Sequence, residues 1–176
     1  GHAWRFQTSD ATGGEIAFHD ITLRDMVATV EEGVKRVRAV RDLILSRSTE
    51  TNTSTLGLYG SIGTLTLAAQ NLIVNSGCVI TVAGKGFGPG SGPGTSAPGT
   101  GAGHGGKGGS SFGPGGPAYG SDRYPVTWGS SSEDQGGRGG GALHIIADQV
   151  LRVDGTLSAD ALPGNGGGSS GGSILI

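Results

Sequence analysis

Proline is absent from the chain before residue 89, and of 38 glycines only eight precede Gly84. That asymmetry limits the fold more than any other feature. The first half can build an apolar core, whereas the second offers almost no side chains to bury and loses the most backbone freedom on ordering. Gly84 to Tyr119 reads GKGFGPGSGPGTSAPGTGAGHGGKGGSSFGPGGPAY, with Phe87, Phe112 and Tyr119 as its large apolar side chains. A flexible Gly/Ser tether is one reading of such a stretch. Ordered packing is the reading favoured here, because strong strand sequence, GGALHIIADQVLRVDGTLSA, resumes directly afterwards.

The half before Gly84 alternates. EIAFHDITL places Ile16 with Phe18, then Ile21 with Leu23 after a shift at His19-Asp20. Residues 26–45 fit a helical stripe through Met26, Val30, Val34, Val37 and Ile44, but β-branched Val and the break at Gly33 favour strands. TLTLAA, NLIV and CVITV follow as short strands with turn residues such as Asn75-Ser76-Gly77 between them. A related unit recurs in NLIVNSGCVITVAGKGFGPG and QVLRVDGTLSADALPGNGGG, each a strand, an Asn/Asp-Gly turn, a second strand and a glycine run. The pattern predicts an all-β protein, a β-solenoid-like stack of short rungs. Its expected regions are an N-terminal β-rich part (1–57), rungs (58–83), glycine-rich segments with an aromatic cluster (84–141), and rungs ending in a glycine-rich segment (142–176).

For the glycine-rich part the sequence predicts a packed bundle of polyproline II segments, three residues per turn. Wound that way, GAGHGGKGGS has one edge of Gly103, Gly106 and Gly109, and a second of Ala102, Gly105, Gly108 and Ser111. His104, Lys107 and Ser110 form a polar third edge for water. GGRGGGA from Gly136 repeats the scheme with Arg138 alone on one edge, and Pro114 and Pro117 pre-set an extended backbone.

Little in the sequence suggests a reaction, and the chain is read as non-catalytic with no cofactor. A net charge of -2 argues against nucleic acid. The basic run Lys35 to Arg41 reads as the solvated face of a half-buried element. His2, His19, His104, His144 and Cys78 lack metal-ligand spacing, and Cys78 reads as a small buried hydrophobe. Asp154-Gly155 reads as a turn, Asp160 belongs to no calcium-loop ladder, and Glu31-Glu32 and Glu133-Asp134 read as solvated. Ser110, Ser111, Ser130 to Ser132, Ser169 and Ser170 sit in no nucleophile elbow. No apolar run is long enough for a membrane span. GGSILI stops within a strand pattern, which suggests an excerpt or processed piece of a longer chain. Tyr119, Tyr124 and Trp128, with Phe112 near by, form a candidate glycan-stacking group, although a plug at one end of the glycine bundle is preferred. Asn52-Thr53-Ser54 is an N-glycosylation pattern, relevant if the chain is secreted.

The ordered succession GHGGKGG, GGPAYG, P..WGS, GGRGGGALHIIADQVLRVDGTLSADA and GGGSSGGSILI resembles a glycine-rich module of large secreted or cell-surface proteins of bacteria, protists and plants. The likeness runs from Leu65 to Ile176 and departs at Asp160-Ala161-Leu162-Pro163, where that module continues with glycine. It implies an extracellular structural or adhesive role and carries over no catalytic residues. Self-association into a fibre or head-to-tail assembly is the expected partnership. The alternative is a module binding glycans or other surface proteins; an ice-binding face fits less well, given the irregular Lys85, Phe87, Lys107 and Arg138.

Overall fold

Alternation becomes strand wherever the sequence carries it. A computed structural model describes residues 3–6, 14–31, 33–34, 36–60, 63–133 and 137–176. His2, Glu32, Lys35, Asp134 and Gly136, invoked above, lie outside the described residues. The first six strands are β1 (Ala3–Phe6), β2 (Glu15–Phe18), β3 (Ile21–Arg24), β4 (Val27–Val30), β5 (Arg36–Ala39) and β6 (Asp42–Ser46). The stretch 26–45 thus holds β4, β5 and most of β6, with no helix among its described residues. In β3 Ile21 and Leu23 are buried while Thr22 and Arg24 are exposed, and in β5 Val37 and Ala39 are buried between exposed Arg36 and Arg38. The basic run is therefore a solvated face, as far as it is described. Arg36 lies 3.4 Å from Glu15, and Arg41 forks onto both oxygens of Asp20 at 3.0 and 2.9 Å.

The later strands are β7 (Thr55–Leu58), β8 (Thr64–Val74), β9 (Val79–Thr81), β10 (Ala142–Val153), β11 (Thr156–Ser158) and β12 (Ser173–Leu175). They build two sheets. One has five strands in the order β1-β4-β7-β9-β11. The other has seven: β12-β10-β8-β5-β2 in a row, with β6 also on β8 and β3 on β6. Every pairing among them is parallel. Leu56 and Ile80 of the first sheet share one fully buried cluster with Leu43, Leu45, Leu67, Leu72, Leu143 and Ile145 of the second. Each such side chain contributes about 2–3 kcal/mol on burial.

The all-β expectation holds. The solenoid-like stack of short rungs under a polyproline II bundle does not: the sheets form two parallel layers of five and seven strands, neither closed into a barrel, with no helix among the described residues. Two physical reasons account for the difference. TLTLAA and NLIV are one 11-residue strand, β8, not two. Gln70 and Asn71 interrupt the apolar pattern without ending it, because both are half-buried and Asn71 Nδ2 donates to Asp42 Oδ1 at 2.8 Å on the adjoining β6. The seven-stranded sheet consequently forks, β8 pairing with β5 along its first part and with β6 along its second.

Secondly, Gly84, Gly90, Gly92, Gly99 and Gly120 have positive φ, which a polyproline II helix excludes. GAGHGGKGGS holds no positive φ, and its predicted edges are lost for a different reason. A bend at His104–Gly106 leaves Gly106 and Gly109 exposed while Gly103 is buried, and His104 is drawn half inside. Order comes instead from backbone hydrogen bonds between segments. Gly86 donates to Gly139 (2.7 Å), Gly139 to Phe87 (2.9 Å), Phe87 to Gly129 (2.9 Å), Gly129 to Gly140 (2.8 Å) and Gly140 to Ser170 (3.1 Å). A second set joins Gly103 to Gly94, Gly108 to Gly116, Gly116 to Gly101 and Ala102 to Gly168 at 2.8–2.9 Å. Arg138 folds back, donating to the carbonyls of Gly84 and Gly86 at 3.1 and 3.3 Å.

Such approach leaves no room for a side chain. A Cβ on Gly140 would overlap the carbonyl oxygen of Ala159 and lie 2.5 Å from Gly172 N, whereas one on Gly168 would meet nothing within 4 Å. Gly140→Ala is therefore expected to destabilise the protein by about 3 kcal/mol, the upper range for forced overpacking. Gly168→Ala should leave stability unchanged or raise it by about 0.5 kcal/mol through the unfolded chain. Urea unfolding of both variants checks the pair.

Candidate functional site

The aromatic group of the sequence is split by the structure. Tyr119 and Trp128 turn inward. The Tyr119 hydroxyl donates to the carbonyl of Trp128 and accepts from Ser130 Oγ at 2.8 Å. Trp128 Nε1 donates to Thr64 Oγ1 on β8 at 3.0 Å, and its ring meets Phe87 edge-on at 5.6 Å. Half-burial of the phenol raises the Tyr119 pKa, partly offset by the hydrogen bond from Ser130. Tyr124 and Phe112 turn outward, 71% and 98% exposed. Trp128 therefore pins the glycine-rich region to the seven-stranded sheet, Tyr119 ties that region together internally, and no shared stacking platform forms from Tyr119, Tyr124 and Trp128.

Next to this knot lies a line of serines that sequence patterns did not single out for structure. Ser130, Ser131 and Ser132 are fully buried. Ser131 Oγ donates to Gly137 O (2.5 Å) and Ser132 Oγ to Gly167 O (2.6 Å). Gly94 N–H donates to Ser130 Oγ (2.9 Å), and Ser130 N–H to Ser170 Oγ (2.7 Å). These hydroxyls cross-link three glycine-rich segments, and no buried side-chain N or O among the described residues lacks a partner. Among the described residues none of the three hydroxyls bonds to a histidine or carboxylate, the partner that would activate a serine nucleophile. A Ser-Ser-Ser run gives no periodic signal by which to anticipate the role.

His104 stands beside the knot, its ring 4.8 Å from that of Tyr119 and its Nε2 2.7 Å from Thr127 Oγ1. Burial lowers its pKa below the ordinary 6.5, against a smaller opposing effect from a backbone hydrogen bond with Gly171. Shallow clefts of ≈ 270 and ≈ 330 Å³ flank it, lined by Tyr119, Gly120, Ser121 and, in the second, Asp122.

Asn52 lies far from this region, exposed in the loop between β6 and β7, with Nδ2 donating to Ser48 Oγ at 3.1 Å. It borders a cleft of ≈ 620 Å³ with Asp25, Met26, Thr51 and Thr53. Asp25 adopts φ 53°, an uncommon left-handed conformation for a residue with a side chain. Its carboxylate accepts the Ser48 N–H at 2.8 Å, and hydrogen bonds from Ser48, side chain first and backbone second, hold its pKa below the usual value. Among the described residues no group of three or more His, Cys, Asp or Glu assembles to hold a metal ion, and no helix is long and apolar enough to cross a membrane. Cys78 is fully buried, and His144 is half-buried within β10.

A further distinctive surface lies at the two ends of the sheets, beyond which no strand pairs among the described residues. At one end, Trp4 is 64% and Phe18 40% exposed beside half-buried Phe6 and Ile16, around two apolar hollows of ≈ 280 and ≈ 290 Å³. Phe6 and Phe18 meet edge-on at 5.7 Å across the two sheets. At the other end β11 and β12 carry half-buried Leu157 and Ile174. Comparison of the chain with known protein families, curated proteins and solved structures finds no match to any of them.

Tyr119→Phe is expected to cost about 1.5 kcal/mol, because Ser130 Oγ and the Trp128 carbonyl lose a buried partner; Tyr124→Ala should stay within about 0.5 kcal/mol of the parent. Thermal unfolding distinguishes them. The lowered pKa of His104 means that the unfolded chain takes up its proton first. Stability is whole above the ordinary histidine value of 6.5 and falls as the pH drops below it. Melting curves at about pH 7.5 and about pH 5 should show that difference shrink in His104→Gln.

Asp20 is held at a pKa of about 2 by hydrogen bonds from His19 and then Arg41. Its contribution is present above the model-peptide value of 3.8 and is lost as the pH falls from there towards 2. In Asp20→Asn the loss of stability over that acid range should be smaller, as measured by the same melting curves.

Proposed function

We propose that this chain is a structural, non-catalytic module of an extracellular fibre, surface appendage or adhesin, assembling through the free ends of its parallel sheets. The observation that carries the reading is that, among the described residues, each sheet ends in strands with no further strand paired beyond them. β1 and β11 bound the five-stranded sheet, and β2 and β12 end the main row of the seven-stranded one. A strand at an open edge presents unpaired N–H and C=O groups and templates further pairing unless it is blunted. In an all-parallel sheet the two edges also accept strands of the same direction, so copies related by translation meet head to tail. Such a heterologous contact propagates rather than closing.

Exposed Trp4 and Phe18 at one end supply the apolar area that such a junction buries. The extracellular setting is supported by the resemblance of the glycine-rich succession to surface-protein modules, and Asn52 is accessible to a glycosylating enzyme in that setting. A glycan-binding surface has less behind it, since Trp128 and Tyr119 face inward and Tyr124 alone of the three is open.

The test is sedimentation and light scattering over a concentration series. The expected result is a mass that grows with concentration. Trp4→Lys should move that growth to about tenfold higher concentration, the equivalent of ~1.4 kcal/mol lost at each junction, without lowering the melting temperature. A constant monomer mass, together with glycan binding that disappears in Tyr124→Ala, would overturn the structural reading in favour of a binding module.

A further inference from the structure

The two ends of the five-stranded sheet match one another residue by residue. We infer that a second copy of this chain docks its β1 onto β11 in one register: Ala3 beside Thr156, Trp4 beside Leu157, Arg5 beside Ser158 and Phe6 beside Ala159. The inference rests on the self-associating role proposed above and names the edges that meet.

The backbone sets the register. Thr156 N–H donates to Cys78 O at 2.9 Å, and Ser158 O accepts from Val82 N–H at 2.8 Å, so these residues turn their peptide groups towards β9. Alternation along the strand turns those of Leu157 to the open side. On β1, Phe6 O accepts from Glu31 N–H at 3.0 Å, which directs Phe6 and Trp4 towards β4 and leaves Ala3 and Arg5 facing outward. A parallel ladder needs one residue bracketed by two of its neighbour's. Leu157 would donate to Ala3 O and accept from Arg5 N–H, which places it level with Trp4.

The side chains agree with that register. Trp4 pairs with Ala28, Ala28 with Leu56, Leu56 with Ile80 and Ile80 with Leu157, one core-facing column whose ends are Trp4 and Leu157. Docking stacks the exposed indole on half-buried Leu157. The outward column runs Arg5, Thr29, Gly57, Thr81, Ser158.

Charge supplies the strongest argument. Within the chain Arg5 lies beside Thr29 and reaches the acid two residues further on, Glu31, at 3.4 Å. The open side of β11 offers the same arrangement, with Ser158 in the place of Thr29 and Asp160 two residues on. Asp160 is exposed, its carboxylate accepts from Ser158 Oγ at 2.6 Å, and its carbonyl accepts from Gly84 N–H at 2.9 Å. The extended pairing on the β9 side therefore continues as far as the acid. On the open side the Ala159 carbonyl already accepts from Gly172 N–H at 2.8 Å, so Ala159 offers the incoming strand its N–H alone, as Val82 does one strand below, its carbonyl held by Gly141 N–H at 2.8 Å while its own N–H donates to Ser158. The incoming Arg5, whose side chain is 46% exposed, sits between its own Glu31 and the first copy's Asp160.

The experiment mixes Ala3→Cys with Thr156→Cys, one of them carrying a size tag. Neighbouring parallel strands lie about 4.8 Å apart, within the roughly 4.4–6.8 Å Cα separation that a disulfide spans. Cys78 is fully buried and takes no part. Mild oxidation is expected to give tagged–untagged dimers in clear excess over a mixture of Ala3→Cys with Lys107→Cys. Arg5→Glu and Asp160→Arg should each weaken association about tenfold, and an equal mixture of the two should restore it, since opposite charges then meet at every junction. Asp160→Arg carries this arm if Arg5→Glu loosens β1 from Glu31. Wild-type association without the Ala3–Thr156 cross-link, or with Ala3→Cys joining only to itself, overturns the register and leaves the structural reading standing. A wild-type chain that stays monomeric at every concentration overturns both.

Discussion

Every buried backbone N–H and C=O must find a partner, and in a segment without side chains that partner is another piece of backbone. The second half of this molecule is built under that constraint. Gly86, Gly129, Gly139 and Gly140 are ordered through bonds that each makes to the next. A single segment of this kind has no stability of its own. Its order is a property of the set, and the set is held to the sheets by Trp128 on Thr64 and by β12 alongside β10. The buried hydroxyls of Ser130 to Ser132 add the few side-chain links that the arrangement has room for.

The two halves of the chain use one principle in two ways. In the sheets, parallel ladders satisfy the backbone and leucine, isoleucine and valine exclude water. In the glycine-rich region the backbone is satisfied by irregular contacts, and close approach takes the place of side-chain burial. The five-stranded sheet ends with β1 and β11 paired to a strand on one side and, among the described residues, to no strand on the other.

The sequence was legible where alternation was strict. Ile21 with Leu23 marks a buried face that the structure reproduces. It was misleading at Gln70-Asn71, where a polar pair looked like a strand break, because the Asp42 carboxylate that accommodates Asn71 comes from a distant part of the sequence. Periodicity in the glycines was weaker still as a guide. A residue equally at ease on both sides of the φ map places no restraint on the path, so the turns at Gly90 and Gly99 leave no trace in a three-residue count. Tyr119, Trp128 and Tyr124 could be recognised as a cluster in sequence, but which rings turn inward depends on Thr64 and Ser130, and neither stands out by composition.

The two tryptophans divide the molecule between them. Trp128 has its indole N–H engaged and its ring against Phe87, while Trp4 stands largely in water on the outermost strand. Their fluorescence is accordingly two separate signals in one spectrum, a shorter-wavelength component from the interior and a longer-wavelength, easily quenched one from the rim. Loosening of the glycine-rich region registers in the first, and anything that settles on the rim registers in the second, so the native chain carries its own pair of optical gauges.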